Sequence, residues 1–184
     1  MKPWMPLIAS GLLLSYGAVS TWSEQAYRDN AHAPPWCKRW LLDGEKLAQW
    51  AYPLQWEGEA GRAAAVSEFQ LILARDSASA RRWCDLGDAL LESGQAERAK
   101  YCFTQAMTRA PKSPIIGVRA ANFYFRTGEK EKALRQMSLV LQRVADYDDV
   151  VFNSYSRFSG NIQEILGSGI PADRRAAHSC EREL

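Results

Sequence analysis

The stretch 81–111, RRWCDLGDALLESGQAERAKYCFTQAMTRAP, decides the fold. Its apolar residues recur at helical spacing in two runs, parted by Glu92-Ser93-Gly94-Gln95. That pattern predicts two helices folded back on each other. Gly87 and Ala99 are small where such a pair approaches most closely, and a larger side chain there would force the helices apart. Trp83 and Phe103 supply large apolar surfaces. Gly94 suits the left-handed position that ends a first helix. Pro111 biases Ala110 out of the helical region and so ends the second.

Taken together, Trp83, Leu86, Gly87, Leu90, Ala99, Phe103, Ala106 and Pro111 have the spacing of a known motif. The segment resembles a tetratricopeptide repeat, with Leu90 where tyrosine is usual. The resemblance implies an all-α protein, a right-handed α-solenoid of helical hairpins. Each hairpin cannot bury its apolar face alone and must stack on neighbours, and such stacks present a concave surface to other proteins.

The neighbouring segments keep the period of about 34 residues. Over 115–147, Tyr124 takes the tyrosine slot, Gly128 the turn and Ala133 the small second-helix slot. Ala121 stands for glycine, Met137 for phenylalanine and Val140 for alanine, while Gly117 occupies the tryptophan slot. Upstream, 45–77 reads as a degenerate repeat or capping pair. There Ala65, Phe69 and Ile72 fall in second-helix slots, Trp56 sits in the tyrosine slot and Pro53 spoils the first helix. Downstream, 148–166 is apolar in helical phase, with a break at Ser159-Gly160, and regular structure is expected to end at 167–171. The expected domain runs 36–171, with its best repeat at 80–113 and a second at 114–147. A polar tail over 172–184 is expected to fray.

The ends differ in material from the middle. Residues 3–22 carry no charge and are bracketed by Trp4 and Trp22, which predicts a segment over 1–22 able to act as a membrane anchor. Lys2 before it and Glu24 and Asp29 after it place the amino terminus in the cytoplasm and the repeats on the far side. A cleaved signal peptide is the alternative, with 7–19 as its apolar region and Ala18-Val19-Ser20 near the cut. Residues 23–35 read as a polar stalk closed by Pro34-Pro35. A helix over 36–50 then carries Trp36, Trp40 and Trp50, as a cap on the array or a contact with the membrane surface, and Gly44 is expected to interrupt it.

Composition excludes several classes. The net charge is +2 with both signs interspersed, so no basic stripe points to nucleic acid. The 4 cysteines, Cys37, Cys84, Cys102 and Cys180, include no C-x-x-C pair and are read as thiols. The only 2 histidines, His32 and His178, lie in stalk and tail without a spaced nucleophile or carboxylate, so no catalytic residue, cofactor or metal is expected.

What remains is surface. In the resembled family the first helices line the groove. That implies groove positions at Arg81, Cys84, Asp88, Leu91 and Glu92, then Val118, Asn122, Phe125 and Arg126, with Phe152 and Ser156 extending them. Asn122 would pair with a peptide backbone. Phe125 would anchor a partner or else be buried against the next hairpin. Cys84 and Asp88 stand where the family's carboxylate clamp needs other residues, so that specificity is not implied. The expected function is a non-enzymatic module binding a protein or peptide segment. The alternatives are an accessory subunit of an envelope polymer-synthesis or secretion complex, and a self-associating structural module.

Overall fold

A computed structural model of the protein describes residues 5–28, 44–158, 163 and 165–171. The chain divides into two compact units, Met1–Tyr52 and Pro53–Leu184. Helices make up the regular structure, and no strand occurs among the described residues.

In the first unit, α1 spans Met5–Arg28. It runs past Trp22 because 23–28 contain no proline or glycine, so the beginning of the expected stalk is helical. Leu13, Leu14, Tyr16 and Trp22 are exposed along it. Among the described residues no helix is long and apolar enough to cross a membrane. Ser10, Gly11, Ser15, Gly17, Ser20 and Thr21 dilute the run that was expected to act as an anchor. Helix α2 spans Gly44–Leu54, and residues 36–43 of the helix expected over 36–50 lie outside the described residues. Residues 29–43, 159–162 and 172–184, with their tryptophans, cysteines and histidines, lie outside the described residues.

Trp56, in the second unit, was expected within a helix, but it lies in a turn and is exposed. The Trp56 amide donates to the Pro53 carbonyl and the Glu57 amide to that of Leu54, closing the chain before α3, Gly58–Arg75. Ala65, Phe69 and Ile72 are buried on α3. Two hairpins follow, α4 (Ala80–Glu92) with α5 (Ala96–Arg109) and α6 (Pro114–Arg126) with α7 (Lys130–Arg143). Helix α3 packs on α4, both α4 and α5 pack on α6, and α7 carries α8, Asp148–Phe158.

Both hairpin turns have the same construction. Gly94 and Gly128 adopt φ of 76° and 82°, where a Cβ is strained. The next amide in each case, from Gln95 or Glu129, reaches back five residues to Leu90 or Tyr124. These bonds satisfy carbonyls that the helix end leaves open.

Close approach sets the first hairpin. A Cβ on Gly87 would lie 2.9 Å from the Phe103 ring and 3.3 Å from the Cys102 Cβ. Phe103 is fully buried and stacks on Phe123 of the next hairpin, ring centroids 4.8 Å apart. A second cluster, centred on Met137, Leu141, Val151 and Tyr155, joins α7 to α8. Beyond α8, Ile165–Gly169 form a π-helical turn, which carries regular structure into 167–169, where it was expected to end. The Tyr155 hydroxyl donates to the Gly169 carbonyl, and its ring lies 3.0 Å from where a Cβ on Gly169 would be. That contact holds the turn against α8.

Gly87→Val is expected to destabilise the protein by about 1–3 kcal/mol, read as a lower urea midpoint at unchanged slope. An unchanged midpoint would mean that α4 and α5 do not meet at Gly87.

Candidate functional site

The surface expected to bind a partner is built on α4 and α6, and its most constrained member is a carboxylate that the repeat pattern did not single out. Asp85 is fully buried. Arg82, one turn earlier on α4, donates to its Oδ2 at 3.0 Å, and Arg119 of α6 donates to its Oδ1 at 2.8 Å. Arg119 also pairs with Asp88 at 2.5 Å. Farther along, Arg126 pairs with Glu92 at 2.8 Å.

The register of these pairs is that of the repeat. Asp85 and Arg119 are 34 residues apart, and Glu92 and Arg126 have the same separation. Two acids on one first helix therefore face two arginines in the same slots of the next. A buried carboxylate is costly unless it is paired and hydrogen-bonded, and here each Asp85 oxygen accepts a charge-assisted bond. Asp85, Asp88, Arg82 and Arg119 together carry no net charge. Burial still pushes the Asp88 carboxyl up from its ordinary value, opposed by the Arg119 guanidinium.

The expected groove residues separate accordingly. Asn122 and Arg81 are exposed, and Leu91 is half-buried. Asp88 and Arg126, both expected groove positions, are drawn into the ion pairs and so have partners within the chain. Val118 and Phe125 pack against the cluster formed by α7 and α8, as does Phe152. Phe125 is half-buried against that cluster, so part of its ring packs inside the chain. The omitted pair, Asp85 with Arg119, had a visible signal: opposite charges exactly one period apart on consecutive first helices.

Cys84 also differs from expectation. It was expected to face the groove, but it is buried, as is Cys102, and both are free thiols. Burial pushes the Cys84 thiol up to about 12, with Arg119 opposing. Burial likewise pushes Cys102 up to about 11, with Arg98 opposing. Among the described residues no group of three or more His, Cys, Asp or Glu side chains is placed to hold a metal ion.

Comparison with known proteins agrees with this architecture. Residues 90–151, from the end of α4 to the start of α8, match the family model described as tetratricopeptide repeat. No curated protein matches the chain. Eleven chains of solved structures are similar to it. One, described as "Crystal structure of MamA", is 14% identical with a TM-score of 0.54, over 86% of this chain and 87% of that one. At that identity the likeness shows the fold alone. The matched segment is thus similar to a repeat whose stacked copies form extended binding surfaces.

Two measurements check the site. Arg119→Met is expected to cost about 1.5–3 kcal/mol, while Asp85→Leu combined with it should cost less than the two single changes added. Strict additivity in that cycle would contradict the pairing. Unfolded thiols ionise near 9, whereas folded Cys84 keeps its proton to about 12. The stabilisation is fully present below about pH 9 and is lost as pH rises toward 12. Cys84→Ala should therefore flatten the fall in melting temperature over that window, and an identical fall in both proteins would refute the burial of this thiol.

Proposed function

We propose that this chain is a non-catalytic adaptor that binds a protein or peptide segment along its first helices and acts at, or after export across, a membrane. One observation carries the binding reading. The ion pairs between α4 and α6 hold two first helices in register, with the Asn122 amide left exposed beside them. An amide so presented offers both a donor and an acceptor to an extended backbone. Neutralisation inside the chain argues against a strongly acidic partner, since Arg119 and Arg126 already have carboxylates.

In this reading the hairpins continue as a right-handed superhelix whose concave face receives the partner. Leu91 supplies apolar contact, while Asn122 and the exposed edge of Arg126 set orientation. The charge-free run 3–22 supports a membrane-directed amino terminus, either retained as an anchor or removed as a signal. Accessory membership of an envelope complex and self-association through an end hairpin are the competing readings.

Photocrosslinking separates these readings, with a photoreactive residue at Asn122 and a control at exposed Lys130, in both membrane and soluble fractions of the native cell. Adaptor function predicts one protein captured from Asn122 and not from Lys130. Capture of the chain itself from both positions would replace this reading with self-assembly, and capture of nothing from either would remove its support.

A further inference from the structure

The two repeats differ at one slot in a way that leaves a space. On α4, Trp83 packs edge-on against Tyr101 with ring centroids 5.9 Å apart. Its Nε1–H donates to the Ser77 carbonyl at 2.8 Å. The Arg109 guanidinium lies 4.7 Å over the indole and donates through Nε to the same carbonyl at 2.9 Å. That carbonyl, with two lone pairs, accepts both bonds.

One period later most of the same parts recur. Arg143 replaces Arg109, Pro111 replaces Ser77, and the Arg143 Nη1 donates to the Pro111 carbonyl at 2.6 Å. In both repeats the arginine and its carbonyl are 32 residues apart. The indole is missing, because Gly117 occupies the place of Trp83. A pocket of about 180 Å³ opens there, lined by Met107, Pro111, Gly117, Gln136, Leu139 and Arg143 among others. An apolar cavity of about 150 Å³ in another protein holds benzene, so a planar ring fits within this volume.

The chain does not supply such a ring at Gly117. A Cβ there would come within 2.7 Å of the Val140 Cγ2, whereas the corresponding residue of the first repeat is the smaller Ala106. We infer that this pocket is a docking site for a tryptophan side chain presented by a partner polypeptide. The indole face meets the Arg143 guanidinium and its N–H donates to the Pro111 carbonyl, as Trp83 does beside Arg109 and Ser77. Complementarity argues for tryptophan in particular. The cation suits the electron-rich ring face, the carbonyl requires a donor that phenylalanine lacks, and Met107 and Leu139 give an apolar lining. Asn122 and the other groove positions are not among the lining residues, so the pocket is a different surface from the one they form, although Gly117 also belongs to α6.

The test is a titration of the full chain with N-acetyl-L-tryptophanamide, followed by the NMR shift of the Gly117 amide, with the phenylalanine and leucine analogues alongside. The tryptophan analogue should shift Gly117 saturably and bind more tightly than the other two. Arg143→Met should weaken it about three- to tenfold. Gly117→Trp with Val140→Ala fills the slot from within, so at retained helicity it should abolish binding. An unmoved Gly117 amide, equal binding of the three analogues, or full affinity in Arg143→Met would each overturn the inference. None of these three readings depends on the double variant folding.

Discussion

The ring of Phe103 is the contact on which the rest of this architecture depends. Inside its own hairpin it lies against Gly87, at a distance that leaves no room for a side chain. Across the boundary it stacks on Phe123. One buried aromatic therefore sets both the spacing within a repeat and the attachment of the next. Offset-stacked rings contribute about 0.5–1.5 kcal/mol beyond the area they bury. Their larger effect here is geometric, since α4, α5 and α6 must all reach the same ring.

Apolar packing alone would tolerate a small slide of one hairpin over another. The ion pairs between α4 and α6 oppose it. Moving α6 by one turn would carry Arg119 away from Asp85 and leave a buried carboxylate with less compensation, a costly state. Glu92 would lose Arg126 in the same movement. Charge here selects a register more than it adds stability, because desolvation offsets much of the attraction. The consequence for binding is direct. The two arginines that a partner would meet on α6 already hold carboxylates, and Asn122 between them stays exposed.

The repeats share a frame but fill it differently. The first combines Trp83 with Ala106, and the second combines Gly117 with Val140. In the second, the valine crowds the glycine from one side while the arginine and carbonyl that hold the indole in the first are still present. A repeat can lose a packing residue in this way and leave its surroundings standing, because each hairpin rests on neighbours that do not require that residue.

The sequence by itself determined the helical hairpins, their turns and their period. These depend on local requirements: small residues at close approach, glycine at positive φ, proline past a helix end. Gly87, Gly94, Phe103 and Gly128 were legible for that reason. Only the tertiary structure decided which side chains on the first helices are available. How much of Phe125 is left exposed depends on the cluster that the following helices bring against it, and whether Asp88 and Arg126 are free depends on partners one repeat away. Cys84, a groove position by helical spacing, is buried in the packed array. Helical spacing gives the direction of a side chain about its own axis. It does not give what the next hairpin brings to meet it, and that encounter decides burial, charge pairing and the pocket at Gly117.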